Sequence, residues 1–319
     1  MGHLKGFFVK SDEISGDHGI FPESRSAETH IKNGVVIIDK TAGPTSHQIS
    51  AWVRDMLSLS KTGHSGTLDP NVTGVLVIAL QNATKIMPAL AQSTKEYVCV
   101  MTLHKDVPES DVREALISFT GIIEQLPPVR SAIKRAVRKR DIHEIDVLEI
   151  DGRNVLFRVK CQAGTYIRKL CSDAGIKLKC GAHMAELRRT QSGSFSEKDC
   201  VKLHDLRDAY ELLKEGNEKE IRRVVLPVEM ACEGIKKIVV KDTAVNALCN
   251  GAPLGAGGIV AIQEGIEEKG LIGIMTLKGE LVGLARAAKG FDSLKEMEKG
   301  IAATMERIVL ARETYPKTW

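Results

Sequence analysis

The sequence predicts a mixed α+β domain followed by a small β-rich one. Two observations carry this. Apolar runs such as "VVII", "VLVIAL" and "YVCVM" read as buried strands and are interleaved with amphipathic helices, without strict βαβ repetition. After Cys232 the texture changes to dense glycine and short β-type runs, the pattern of a small barrel or sandwich. The expected division is an extended arm at 1–31, a mixed domain at 32–232, and the β-rich domain at 233–319.

Taken in order, "NGVVIIDK" is a buried strand. "TSHQISAWVRDML" is a helix capped by Thr45 or Ser46, with Ile49, Trp52, Val53, Met56 and Leu57 as its apolar stripe. A glycine-rich loop, "GHSGTLDP", runs into the strand "VLVIAL". "ATKIMPALAQS" is helical, with Pro88 forcing a kink or a first turn. "KEYVCVMTL" is a strand, and "SDVREALISFTG" a helix with a capping box from Asp111 to Glu114 and Gly121 as its stop. Residues 129–140 follow two prolines and read as a projecting cationic loop. "HEIDVLEIDGRNVLFRVKC" is a hairpin turning at Asp151-Gly152, with Val155, Phe157, Val159 and Cys161 alternating inward. "GTYIRKLCSDAGIKL" opens a helix that buries Ile167, Leu170, Cys171 and Ala174. In the C-terminal part, Lys278-Gly279 turns between two strands.

The chain has 319 residues, 43% hydrophobic and 27% charged, which fits a globular protein with real cores. No apolar run reaches the ~20 residues of a membrane helix, and acids interrupt any signal-like stretch at the N-terminus, so a cytoplasmic protein is expected. The seven cysteines include no C-x-x-C pair, so neither a zinc site nor a disulfide framework is expected. Net charge is only +4, but cations cluster. Arg130, Lys134, Arg135, Arg138, Lys139 and Arg140 form one group without an acid; Arg188 and Arg189 form a second, Arg222 and Arg223 a third. Such clusters are the footprint of a polyanion site, although short charge runs are usually a solvated surface.

Asp69 is the clearest candidate for chemistry. Glycines let a backbone fold tightly and a ligand approach closely, and Pro70 biases Asp69 toward an extended backbone. The bland alternative is a turn aspartate satisfying local N–H groups. Arg168, set among Tyr166, Ile167 and Leu170, calls for a buried anionic partner, and Asp69 is the candidate. "DKTAG" at 39–43 is close to an aspartyl-phosphate loop but breaks at Ala42, and "GAPLGAGGIV" is no dinucleotide fingerprint. His64, His143 and His183 show no ligand spacing.

Together, "GHSGTLDP", "KEY", "GTYIRKL" and "GAHMAELRRTQSGSF" resemble, in the same order, the TruB family of RNA pseudouridine synthases over residues 33–231. The tail resembles the PUA domain of the archaeal dyskerin branch, the catalytic subunit of the H/ACA guide-RNA particle. The resemblance implies the pseudouridine synthase fold, with a central mixed or antiparallel sheet, and isomerisation of uridine in rRNA and tRNA without metal or cofactor. It makes Asp69 the residue beside the sugar–base junction. Tyr97 stacks on the base, Arg168 pairs with Asp69, Tyr166 and Leu187 line the pocket, and His64 helps prise out the nucleotide. Lys40 stands in a "DKPxG"-type motif in which Thr41 replaces the usual proline.

The same resemblance makes the basic segment 129–140 a clamp on RNA phosphates. It puts the guide's terminal ACA near Gly251, Ala252 and Gly258. The implied partners are a box H/ACA guide RNA, a small zinc-ribbon protein, a glycine/arginine-type β-barrel protein and a kink-turn-binding ribosomal protein. The alternatives are a stand-alone tRNA synthase, a non-catalytic RNA-binding scaffold, and an aspartyl-phosphate hydrolase using Asp39. Phosphate contacts release counterions, so neutralising Arg138, Lys139 and Arg140 together is expected to weaken RNA binding and flatten its salt dependence. An unchanged slope of log Kd against log salt would return these cations to ordinary surface.

Overall fold

The computed structural model describes residues 6–11, 16, 18–126 and 136–317. Ten strands form the larger sheet. Its main path runs Leu226–Pro227, Gly34–Lys40, Thr73–Leu80, Ala182–Ser192, Lys95–Leu103, Asn154–Cys161, Arg138–Asp151, Gly121–Gln125. Neighbours on this path pair antiparallel with one exception. Thr73–Leu80 meets Ala182–Ser192 in parallel, through Thr73 opposite Arg188 and Gly74 opposite Arg189. This short seam joins two antiparallel halves. Gly74 makes it possible: its φ is +100°, and a Cβ there would lie 2.2 Å from the Arg189 carbonyl oxygen.

The helix Ser46–Met56 packs on the first half of the sheet, with Ile49, Val53 and the following Leu57 against Val36, Ile38, Leu76 and Ile78. The expected stripe is rotated. Trp52 is 43% exposed, whereas Ser46 and Ser50 are buried, because both serines have hydrogen-bond partners, at Leu68 and Thr62. Thr45 is the cap, in a full capping box with Gln48. Pro88 stands in the first turn of Met87–Gln92, after a 3-10 stretch over Gln81–Ile86. The helix Glu109–Ile117 has Pro108 at its cap and no Asp111–Glu114 box, because it begins two residues before Asp111. The hairpin turns one residue later than expected, at Gly152-Arg153, and still buries Val155, Phe157, Val159 and Cys161 completely. The helix Ile167–Lys177 buries its expected face.

The second sheet has seven strands, ordered Phe7–Val9, Ile259–Gln263, Lys236–Val240, Leu271–Met275, Leu281–Ala287, Ile301–Ile308, Leu254–Gly255. The strand Phe7–Val9 pairs antiparallel with Ile259–Gln263. One hydrophobic cluster spans both sheets: Val35, Ile37, Val75, Val77 and Ile86 share it with Val239, Ala261, Leu281 and Leu284. Glu229 reinforces that junction. It accepts two bonds from the Arg25 guanidinium, at 2.8 and 3.0 Å, and one from the Leu281 amide at 2.9 Å. Arg25 is only 4% exposed.

Removing one partner of a buried pair leaves the other charge uncompensated. Arg25→Met is therefore expected to cost about 3 kcal/mol, read from equilibrium urea unfolding. Arg25→Met with Glu229→Met should recover most of that loss; a single variant of wild-type stability would show that the pair holds nothing together.

Candidate active site

Asp69 sits on a loop whose backbone is held at almost every step. Ser46 Oγ accepts from the Leu68 amide at 2.9 Å and donates to the Leu68 carbonyl at 3.1 Å, bracketing the residue before Asp69. Lys40 Nζ donates to the carbonyls of Thr41, Pro70 and Val72 at 2.8–2.9 Å. The Pro70 carbonyl also accepts from the Gly43 amide, and the Asp69 carbonyl from the Val72 amide. Arg189 donates to the carbonyls of Gly66 at 3.1 Å and Val75 at 2.7 Å. The Asp69 carboxylate is left free to face outward, and it pairs with Arg168.

The Asp69–Arg168 pair was expected to be buried. It is not: the two side chains are 53% and 54% exposed. Arg168 is the second residue of its helix and reaches across the mouth of the site, so solvent screens the pair, and such pairs contribute roughly 0–1 kcal/mol. Its work is orientation. A second device sets the helix that carries Arg168. Gln125, 1% exposed, accepts from the Tyr166 amide at 2.9 Å and donates to the Tyr166 carbonyl at 3.1 Å.

Tyr97 lies on the strand next to Arg189 and pairs with it in register. Burial pushes its phenol above its ordinary value, with the Arg189 cation partly opposing this, so the hydroxyl stays protonated at neutral pH. Lys95, two residues earlier, is 3% exposed and donates to the Leu90 carbonyl at 3.1 Å, and to the Ser93 carbonyl at 2.9 Å. Burial, then the Arg189 cation, push its ammonium down to about 7. Burial also pushes the Lys40 ammonium down, against the Asp69 carboxylate, which raises it. His64, partly buried and edge-on to His47, is pushed down to about 4 by burial, His47 and Arg189. Beside it opens a cleft of about 450 Å³ lined by His47, Arg54, Lys61, Thr62 and Met87.

Asp69 and Arg168 thus meet at this loop, Tyr97 and His64 both neighbour Arg189 beneath it, and Tyr166 and Leu187 are half-buried on adjoining elements. Three expectations need correction. Lys40, expected to bind substrate, is fully buried and bonds only to carbonyls, so it shapes the loop. Arg189, expected to meet RNA, is 1% exposed and unable to reach a surface phosphate. Arg188, also expected to meet RNA, spends its guanidinium on Asp39, bidentate at 3.0 and 3.2 Å, and on Glu197 at 2.5 Å.

Of the basic segment, Arg130, Lys134 and Arg135 lie outside the described residues. Arg138, Lys139 and Arg140 are in a strand paired with Ile123–Gln125, not in a loop: the backbone ladder with that edge strand holds them there, although the segment has no apolar alternation to announce it. Gly251, Ala252 and Gly258 flank the short strand Leu254–Gly255, with Gly251 exposed at φ +90°.

Family models match the chain in the order of its parts. A DKCLD (NUC011) domain covers residues 7–50, and the N-terminal domain of TruB family pseudouridylate synthases covers 54–167. The C-terminal domain of tRNA pseudouridylate synthase B covers 168–233, and a PUA domain covers 236–309. The probable tRNA pseudouridine synthase B of Methanosarcina barkeri is 51% identical, over 95% of this chain and 90% of its own. That of Methanopyrus kandleri is 52% identical, over 98% and 93%.

The chain belongs to the TruB family of pseudouridine synthases.

Solved structures extend the TruB-family likeness to the whole chain. The archaeal box H/ACA sRNP Nop10–Cbf5 complex contains a chain 46% identical, with a TM-score of 0.91 and 98% of each chain covered. A Cbf5–Nop10–Gar1 complex gives 47% and 0.94, over 98% of this chain and 96% of that one. An H/ACA RNP bound to a substrate RNA containing 2'-deoxyuridine gives 45% and 0.92, over 98% and 97%. The activity of the TruB family is isomerisation of uridine in RNA. The base leaves C1′ through N1 and rejoins it through C5, so the site must hold one nucleotide while its base turns. No helix among the described residues is long and apolar enough to cross a membrane.

Sequence reasoning missed Ser46, Lys95 and Gln125. Ser46 carried a weak signal, as a second hydroxyl beside a cap that needs only one; Gln125 carried none. The low value for His64 has a thermodynamic consequence. An unfolded histidine titrates near ~6.5, so holding His64 neutral in the fold stabilises fully above that pH and is lost as pH falls toward about 4. Between those limits the wild type should lose urea resistance more steeply than His64→Gln. Parallel curves would mean that His64 protonates freely in the folded protein.

Proposed function

We propose that this chain is the catalytic subunit of a box H/ACA ribonucleoprotein, isomerising uridines that a guide RNA selects in rRNA, with Asp69 as the reacting carboxylate. The observation that carries the reading is the Asp69 loop: a rigid backbone cradle around a single outward carboxylate, oriented by Arg168. Such a cradle fixes one group to fractions of an ångström, which is what a reaction without external reagents needs. Tyr97 supplies an aromatic face for the base, and His64, neutral at working pH, can take the place of an extruded nucleotide in the stack.

The near-complete coverage of chains solved with Nop10, with Gar1 and in a substrate-bound H/ACA RNP supports the particle and those two partners. A kink-turn-binding ribosomal protein is the further partner, and the cytoplasm the compartment. In this reading the PUA domain holds the guide's ACA near Gly251, Ala252 and Gly258, while the strand Phe7–Val9 ties the N-terminal arm to that domain. A guide-independent activity on tRNA is the second reading. It is favoured by the relatives of about half identity that carry the name tRNA pseudouridine synthase B.

Release of tritium from carbon 5 of uridine reads the chemistry directly, because that hydrogen leaves when C5 bonds to C1′. Wild-type protein with guide, Nop10, Gar1 and matching substrate should release label. Asp69→Asn should release none, while RNA affinity stays within about threefold and stability within about 0.5 kcal/mol, as for a surface substitution. Release from tRNA without guide would establish the second activity. A normal rate from Asp69→Asn would overturn the assignment of Asp69.

A further inference from the structure

Arg189 is the largest fully buried side chain among the described residues. It stands at the parallel seam of the sheet, opposite Gly74, and its guanidinium lies under the Asp69 loop. Nε holds the Val75 carbonyl and Nη1 the Gly66 carbonyl, so the two ends of the loop are tied through one planar group. Gly66 is shaped to this contact: a methyl group there would come 3.0 Å from Nη1. Nη2 makes no well-formed hydrogen bond, and no carboxylate pairs with the side chain among the described residues. Sealing a cation away from water without a counter-ion is costly, and an apolar side chain of the same volume would pack there at less cost. The charge therefore needs a reason.

We propose that Arg189 is a positioning residue for the isomerisation: it clasps both ends of the Asp69 loop from beneath and puts an uncompensated positive charge under the reaction pocket. The proposal rests on the reading of Asp69 as the reacting carboxylate. The chemistry accounts for the missing counter-ion. When N1–C1′ breaks, its electron pair leaves with the base. When C5–C1′ forms, the base's electrons make the new bond, C5 gives up its proton and N1 takes one. Between these events the base is negative, and a fixed cation nearby stabilises it without reorganisation. The charge already acts on its neighbours: it opposes protonation of His64 and Lys95 and ionised Tyr97 feels its attraction.

Two variants of the full-length protein separate geometry from charge. Arg189→Gln loses both. Its single-turnover tritium release should fall about 100-fold, as for a reacting group displaced by about an ångström, with RNA affinity changed by less than about threefold. Arg189→Lys keeps the charge but reaches only one end of the loop. Its rate should fall about tenfold, the factor that one charged hydrogen bond corresponds to. The His64 imidazole signal, followed by 1H–13C NMR in the free protein, should titrate at higher pH in Arg189→Gln and stay at the wild-type position in Arg189→Lys. The other charges around His64 (His47, Arg54 and Lys61) are the same in both.

A wild-type rate in Arg189→Gln, or an unmoved His64 titration, would overturn the proposal. If Arg189→Gln does not fold, Arg189→Lys decides alone, and a wild-type rate in it overturns the clasp. If the wild-type protein itself releases no label from any RNA, the isomerase reading fails instead. The clasp is then judged on the free protein: faster amide exchange at Leu68 and Val72 in Arg189→Lys supports it, and unchanged exchange overturns it.

Discussion

Lys40, Lys95 and Arg189 bring three basic side chains into the interior, and each is bonded to backbone carbonyls instead of to carboxylates. A charged donor on a carbonyl is roughly twice as strong as a neutral hydrogen bond. It also fixes main chain, where a side-chain ion pair fixes only side chains. Lys40 holds the Asp69 loop at Pro70 and Val72, Arg189 holds its two ends, and Lys95 holds the turn at Leu90 and Ser93 that leads into the strand of Tyr97. The remainder of the site depends on this arrangement, because the loop contains Gly66 in a left-handed conformation and would otherwise sample many shapes.

The interior is cationic, and the mouth of the site is a nearly neutral, exposed pair. That contrast has a functional sense. Asp69 and Arg168 sit where water screens them, so a nucleotide can displace their mutual contact at little cost. Burial keeps Tyr97 and His64 uncharged, so an aromatic base meets neutral rings. The fixed positive charge lies behind the loop, where it acts on whatever negative charge develops in front without being drawn into contact with it.

The two sheets do not meet as separate bodies. A shared apolar cluster and the Arg25–Glu229–Leu281 contact join them, and the strand Phe7–Val9 crosses to the second sheet from the N-terminal end of the chain. The spacing between the two sheets is therefore fixed by packed side chains.

The strands Gly34–Lys40, Thr73–Leu80, Lys95–Leu103 and Asn154–Cys161 could be read from their apolar runs, and the inward face of Ile167–Lys177 from its spacing; Ala182–Ser192 and Gly121–Gln125, which lack such runs, could not. The paired arginines of "LRRT" were harder. A charge run reads as surface, yet on a strand adjacent residues face opposite ways, so one of Arg188 and Arg189 had to point inward; Asp39 and Lys40 pose the same choice. What the sequence by itself determined was the set of reactive groups and the local backbone that presents them. Which cation is sealed under the loop was decided only by tertiary structure. Arg189 and the Gly66 carbonyl are 123 residues apart in the chain, and they meet only because two strands from different halves of the sheet become neighbours at the seam.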